Sequence, residues 1–407
     1  VYAADVDGDG DMDVLSASYS DDKIAWYEND GSHAFESPIF VDHTISTSAD
    51  NAESVYAADV DGDGDMDVLS ASANDDKIAW YENDGSESFT EHVISTDADY
   101  AQSVYAADVD GDGDMDVLSA SLYDDKIAWY ENLGSGEFGD QNVITTDADW
   151  ARSVYATDLD GDGDMDVLSA SHSDDKIAWY ENDGSEGFTE HAISTSADGA
   201  ESVYAVDVDS DGDMDVLSAS ENDGKIAWYE NNGSESFTEH AISTSDGAHS
   251  VYASDIDGDG DMDVLSASRT ENNIAWYEND GSENFTEYVI DADVSAAWDV
   301  YASDIDGDGD MDVLSVGFYA SNITWYENDG SGSFTDHIIS SGVYKTSSVY
   351  AADVDGDGDM DVLSASSHHD MITWYEHIQD ATAPAIPTGL AATTALTNIT
   401  LTWNVNS

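Results

Sequence analysis

The chain contains no cysteine and only three prolines among its 407 residues. Without thiols, neither disulfides nor thiolate chemistry contributes to fold or activity. Basic residues are nearly as scarce: 8 Lys and Arg stand against 91 Asp and Glu, a formal net charge of −83. Nucleic acid is thereby excluded as a partner, because phosphate binding needs clustered Lys and Arg. An anionic membrane surface is excluded too, unless calcium bridges the two. No apolar run is long enough to span a bilayer as a helix, and no stretch keeps helical periodicity over three turns. Repulsion of this size opposes a compact state unless cations neutralise it. Disorder is the simplest expectation for so acidic a chain. Against it, 41% of the residues are hydrophobic and 10% aromatic, and they recur in short strand-like runs.

What the chain does have is repetition. One acidic run appears first as Asp5-Val6-Asp7-Gly8-Asp9-Gly10-Asp11-Met12-Asp13 and returns from Asp59, Asp108, Asp158, Asp207, Asp255, Asp304 and Asp353. A period of about 50 residues marks a repeat architecture in which each copy is one structural unit. Within a copy, Val55–Ala58 leads into the acidic loop and Val68–Ser72 leaves it. Lys77–Glu82 follows, then the turn Asn83-Asp84-Gly85-Ser86 and the run Phe89–Ser95. Short β-branched and aromatic runs bounded by Asp, Asn, Gly and Ser read as strands joined by tight turns. Four antiparallel strands per copy and no helix predict an all-β fold, an eight-bladed β-propeller with a metal-binding hairpin loop in each blade. The propeller is expected over residues 1–377, with a linker at 378–388 holding Pro384 and Pro387. Val1 opens directly into a repeat, so a processed or excised piece is expected, with any signal peptide upstream. The eighth copy shows no fourth strand after Trp374-Tyr375-Glu376. The closing strand comes either from upstream of Val1 or from the tail at 390–403.

The acidic run is a ligand pattern for a hard cation. Carboxylates fall at positions 1, 3, 5, 7 and 9, with glycine at position 6 to permit the sharp turn. The candidate ligands are Asp5, Asp7, Asp9, Asp11 and Asp13; Asp59, Asp61, Asp63, Asp65 and Asp67; Asp108, Asp110, Asp112, Asp114 and Asp116; Asp158, Asp160, Asp162, Asp164 and Asp166. They continue as Asp207, Asp209, Asp211, Asp213 and Asp215; Asp255, Asp257, Asp259, Asp261 and Asp263; Asp304, Asp306, Asp308, Asp310 and Asp312; Asp353, Asp355, Asp357, Asp359 and Asp361. Position 7 is expected to donate its backbone carbonyl. The first six positions match the start of an EF-hand loop, but the run closes on Asp at position 9 and returns as a β-hairpin. All-oxygen donors on a flexible loop suit Ca2+ better than octahedral Mg2+. The competing reading is a solvated acidic turn. Four carboxylates about 4 Å apart repel by roughly 4 kcal/mol per pair at an effective dielectric near 20, so such a loop needs a cation to hold its shape. About eight Ca2+, one per repeat, are expected.

The loop, the following Val-Leu-Ser-Ala-Ser strand and the Trp-Tyr-Glu-Asn strand together resemble FG-GAP/VCBS repeats, the propeller units also found in integrin α-subunits. The resemblance covers residues 1 to about 377 and implies calcium held between the first two strands of each blade. In integrins only some blades carry the loop, whereas here every copy does. The family spans adhesion proteins, lectins and some polysaccharide lyases, so membership names no activity. Residues 384–390 and 399–403 resemble the opening of a fibronectin type III module, truncated at 389–407 because such a sandwich needs about 100 residues.

Antiparallel strands place the acidic loops and the Asn-Asp-Gly-Ser turns on one rim, and the remaining connections on the other. The first rim is uniform. The second differs from copy to copy and carries Tyr19, Tyr100, Tyr123, Trp150, Trp298, Tyr319, Tyr344 and His368. Rings on loops suit stacking against sugars or anchoring protein contacts, and unconstrained drift of loop sequences is the alternative. The periodic tryptophans from Trp26 to Trp374 read as packing between blades. The periodic histidines (His43, His92, His191, His240, His337) and lysines (Lys23, Lys77, Lys126, Lys176, Lys225) read as blade structure. Only Arg152, Arg269 and Lys345 lie outside that lysine position, and nothing in the sequence groups them. Catalysis asks for one asymmetric constellation of unlike residues, and the best patch for it is His368-His369 with Tyr344-Lys345. The leading expectation is therefore a non-catalytic, secreted or cell-surface calcium-binding module for adhesion or for glycan or protein binding, in a marine or saline milieu. A structural spacer or filament subunit is the alternative, and a polysaccharide lyase the second.

Overall fold

The computed structural model describes residues 49–64, 67–83, 89–234, 236–244, 247–305, 308–320, 322–341 and 346–352, with strands at 2–4, 13–18, 23–28, 41–46, 361–366, 371–375, 391–395 and 398–402. Every regular element among them is a β-strand. The sheet that best represents the repeat runs Ala101–Ala107, Asp116–Ser121, Lys126–Asn132 and Phe138–Thr145, antiparallel throughout. The same four-stranded order holds from the sheet Tyr2–Ser46 to the sheet Ala297–Ser341. Residues Thr346–Tyr375 form a three-stranded sheet, and Ala391–Ala395 pairs with Asn398–Thr402 in a two-stranded one.

Successive sheets pack face to face, and their first strands are neighbours: Ala52–Ala58 lies beside Ala101–Ala107, and so on to Ala297–Ser303 beside Thr346–Ala352. The last of these sheets returns to the first, with Met371–Tyr375 against Asp13–Ser18. The sheets thus close into a ring, the architecture of a β-propeller. First strands line the axis. Their tyrosines stack in sequence: Tyr56, Tyr105, Tyr155, Tyr204, Tyr252 and Tyr301 stand 4.9, 5.0, 5.3, 5.0 and 4.7 Å apart, centroid to centroid.

The core lies between sheets rather than within them. The Val-Leu-Ser-Ala-Ser strands from Val68–Ser72 to Val264–Ser268 are buried at every position, as a strand covered on both faces requires. One cluster joins Leu118 and Trp129 of one sheet to Val154, Val167 and Tyr180 of the next. Trp80 meets Phe138 edge-on at 6.4 Å, and Trp179, Trp228 and Trp276 meet Phe237, Phe285 and Phe334 in the same way. These four tryptophans are packing residues between blades. Fourth strands are outermost, with Val93, Val143, Val289 and Ile338 exposed.

Candidate functional site

The acidic loops are built from Asx turns. Asp110 accepts the Asp112 N–H at 3.1 Å, Asp112 accepts the Asp114 N–H at 2.9 Å, and Asp108 accepts the Gly113 N–H at 3.1 Å. The tight path needs left-handed backbone at positions 4 and 6, where Gly111 and Gly113 hold φ of 76° and 99°. Ser210 takes position 4 of its loop at φ 60°. Position 9 has a second task. Asp116 is fully buried, and its two oxygens accept the N–H groups of Val109 and Asn132, both at 2.8 Å. Asp67, Asp166, Asp215, Asp263 and Asp312 repeat this clamp between the start of the loop and the end of the third strand.

In at least four of the described loops three carboxylates converge. Oxygens of Asp59, Asp61 and Asp67 lie within 4.8 Å of one another, as do those of Asp108, Asp110 and Asp116, of Asp158, Asp160 and Asp166, and of Asp207, Asp209 and Asp215. The Asp at position 7 lies against the glycine of the neighbouring turn: a Cβ on Gly184, Gly233, Gly281 or Gly330 would fall 2.3–2.4 Å from its carboxylate. Burial pushes Asp67, Asp116 and Asp263 up to about 7, and Asp166 and Asp215 to about 6, against the two N–H bonds that each accepts. Asp61, Asp110, Asp160, Asp209 and Asp257 are raised as well, by burial first and then by repulsion from neighbouring loop carboxylates. Crowded, partly desolvated oxygens with no nitrogen or sulfur donor fit a hard cation. Asp5, Asp7, Asp9, Asp11, Asp65, Asp306, Asp353, Asp355, Asp357 and Asp359 lie outside the described residues, and Asp13 and Asp361 open strands.

The opposite rim gathers unlike residues. Tyr100 and Trp150 occupy the connection between sheets at φ 62° and 59°, where the next two sheets carry Gly199 and Gly247. Bulky side chains rarely hold that conformation. Trp150 is 41% exposed, Tyr123 58% and Tyr319 48%. Trp298, expected in a connection between blades, instead sits one residue inside the first strand Ala297–Ser303, at a β-bulge. The left-handed connecting position there belongs to Ala296. Glu53, Gln102, Arg152, Glu201 and His249 occupy the equivalent bulges of the preceding sheets. A bulge re-aims its side chain, and here the bulged residues meet near the axis. Arg152 donates to Gln102 Oε1 at 2.9 Å, and its Nε lies 3.4 Å from Glu201. His172 Nε2 stands 3.5 Å from Glu201, and Arg269 donates to Glu221 at 2.7 Å. The Arg269 guanidinium lies 5.1 Å from the Trp298 ring centroid, and Trp298 packs against His249 and Phe318 at 4.0 and 4.7 Å. Burial raises Glu53 and Glu201 to about 7 and lowers His249 to about 3. Tyr19, Tyr344, Lys345, His368 and His369 lie outside the described residues.

A family model described as FG-GAP-like repeat matches residues 5–70, 59–119, 108–169, 158–218, 207–266, 255–315 and 304–364. The chain belongs to the FG-GAP-like repeat family. No curated protein matches it. Among solved structures it is similar to a lectin of Agrocybe aegerita described as recognising non-reducing terminal N-acetylglucosamine, with a TM-score of 0.56, 16% identity, and coverage of 79% of this chain and 89% of the lectin. A protein from Lactobacillus plantarum gives 0.55 at 15% identity, covering 81% of this chain and 96% of that one. A functionally unknown protein from Desulfotomaculum acetoxidans DSM 771 gives 0.53 at 10%, with 80% and 94% covered. At these identities the likeness is one of fold.

In the described FG-GAP-like repeats that carry them, the periodic lysines and histidines are internal fittings. Lys77 pairs with Asp75 and Glu91, and Lys176 and Lys225 repeat the arrangement. His92 stacks on Trp80 at 4.7 Å and pairs with Glu82 at 2.7 Å, as His191, His240 and His337 do with their own Trp and Glu. The asparagine that ends the third strand does more than open a turn. Asn132 donates to Val60 O of the preceding repeat at 2.7 Å and to Met115 O of its own at 3.1 Å. Asn182, Asn231, Asn279 and Asn328 do likewise. Sequence reasoning missed this tie and missed the meeting of Arg152 with Arg269's network. The available signal for the second was two variable repeat columns, the residue just after the alanine that opens the first strand and the residue that follows the second strand, which between them hold Arg152, Glu201, His172, Glu221 and Arg269.

Proposed function

We propose that the chain is an eight-bladed, calcium-stabilised propeller module of a secreted or cell-surface protein, one that binds glycans or extracellular proteins and catalyses nothing. The observation that carries this reading is the convergence of the first, third and ninth carboxylates in loop after loop on one rim. Asp59, Asp61 and Asp67, and their counterparts, would hold Ca2+, which supplies the charge neutralisation that a chain of net charge −83 needs. If each site had a dissociation constant near 10⁻⁴ M at millimolar calcium, binding would contribute about 1.4 kcal/mol per loop. The exposed rings of Trp150, Tyr123 and Tyr319 on the other rim, and the lectin among proteins of similar fold, support a binding role. The strained backbone at Tyr100 and Trp150 supports it also, since such strain collects where function needs it. A non-catalytic role accords with the perturbed loop carboxylates being tied into backbone clamps. The hairpin Ala391–Thr402 begins a following fibronectin type III-like module, joined by the linker at 378–388.

Calorimetric titration of the metal-free chain with calcium tests the first half of the reading, with one ion per acidic run expected. A melting temperature unmoved by chelation would remove the stabilising role. Binding of the calcium-loaded chain to immobilised glycans and matrix proteins tests the second half. Silence across such a panel, from folded protein, would overturn the adhesion reading.

A further inference from the structure

The five periodic lysines sit at one repeat position, and those with ion pairs described are spent on carboxylates near them in the same sheet. Arg152 and Arg269 are different. Both lie outside the repeat pattern, both stand at the axial end of the variable rim, and each is balanced by one buried or half-buried carboxylate, Glu201 or Glu221. With Glu53, whose burial favours its neutral form, the result is a patch of alternating donors and acceptors in which charges nearly offset one another, on a chain whose net charge is −83. His172 links this network to the ring of Trp150, 5.7 Å away. Three buried polar atoms of the same group, Gln102 Nε2, Arg152 Nε and His172 Nδ1, have no hydrogen-bond partner.

We propose that this axial mouth, centred on Trp150, Arg152, His172 and Glu201, is the ligand site, and that it takes a neutral saccharide. The inference rests on the binding role proposed above and names its place and ligand class. Three chemistries compete. His172, Glu201 and Glu221 are close enough together to hold a metal ion, but guanidinium groups already occupy an oxygen of Glu221 and neighbour one of Glu201, which cancels the charge a cation would seek. An acidic ligand meets the same balance from the other side, inside the field of a strongly anionic protein. A neutral polyol suits both halves: carboxylates accept its hydroxyl protons, Arg152 and Gln102 donate to its oxygens, and an exposed indole offers a face for the sugar ring. Trp298 already packs against His249 and Phe318 and lies under the Arg269 guanidinium, so it positions the Arg269 half of the network, and Trp150 is the platform.

The test is binding of the calcium-loaded chain to neutral oligosaccharides ending in glucose, galactose, mannose or N-acetylhexosamine, beside uronate-bearing and sulfated ones. Trp150→Gly installs the residue that the next two repeats carry at this left-handed position, so the fold is kept. The double variant Arg152→Gln/Glu201→Gln removes both charges together and leaves neither uncompensated. Each should weaken neutral-glycan binding by at least about tenfold, while Val93→Ala, exposed on an outermost strand, stays within about twofold. Preference for the acidic glycans overturns the ligand class. Neutral binding that survives both variants overturns the location and leaves the binding role standing. No saccharide binding by the parent chain overturns both.

Discussion

Replacing Asp116 separates two roles that the acidic loop combines in one residue. Its carboxylate is fully buried and accepts two backbone N–H groups, from Val109 and Asn132, at 2.8 Å each. Asp116→Asn keeps one acceptor and turns an amide donor toward the other N–H. The lost bond to a charged acceptor is worth about 1.5–3 kcal/mol, and the stranded N–H adds about 1–3 more. Relief of a carboxylate that burial holds at about 7 returns part of this, so a net loss of about 3 kcal/mol is expected. Asp110 offers the contrast, since its one described acceptance, from Asp112 N at 3.1 Å, lies in exposed chain. Asp110→Asn should cost less than about 1 kcal/mol in the absence of metal. Urea unfolding in chelator, followed by tryptophan fluorescence, reads both. With calcium restored, both variants should fall below the parent. Equal losses for the two variants in chelator would refute the clamp and leave position 9 as a ligand only.

The metal-free chain should respond to pH in the opposite sense to the loaded one. Asp67, Asp116 and Asp263 are held at about 7 when folded, against an ordinary carboxylate value near 4 when unfolded. The folded state therefore binds more protons between about pH 4 and 7, and metal-free stability falls as pH rises through that window. Calcium-loaded protein should lose stability as pH falls, since protons compete for the same oxygens; two melting curves of the same slope would contradict this. Ser210→Gly removes a left-handed serine from a glycine position and should stabilise by roughly 0.5 kcal/mol, because relief of strain slightly exceeds the added chain entropy. A loss of stability there would mean that the serine hydroxyl supports the loop. Asn231→Ala strands the carbonyls of Leu159 and Met214 and should cost about 2 kcal/mol. Hydrogen exchange should then rise at the interface of the sheets Ala151–Ser194 and Ala200–Thr244, and uniform exchange throughout the ring would contradict a local tie.

The fold was readable because its determinants are local. A hairpin of Asx turns and glycines, flanked by alternating strands, writes itself into a dozen consecutive residues, and eight copies remove coincidence. The candidate metal loop was readable for the same reason. Contacts between repeats were not. The clamp joins Asp116 to Asn132, and Asn132 in turn reaches Val60, in the repeat before. Arg152 touches Gln102, exactly one repeat step away. No periodicity announces such pairs, because each partner looks like an ordinary turn or strand residue in its own copy. Trp298 was misplaced by two residues for a related cause. Where the connection between sheets carries alanine rather than glycine or an aromatic residue, the composition gives no sign of where the strand begins.

The asparagine ties have a direction. Asn132, Asn182, Asn231, Asn279 and Asn328 each reach back to the acidic loop of the repeat before them, never forward to the one after. Each loop is therefore the footing of its successor, and a loop that loses its shape loosens the downstream sheet while its upstream neighbour keeps its anchor. Damage to such an assembly would travel one way around the circle, as slack runs along a chain of hooks that all face the same way.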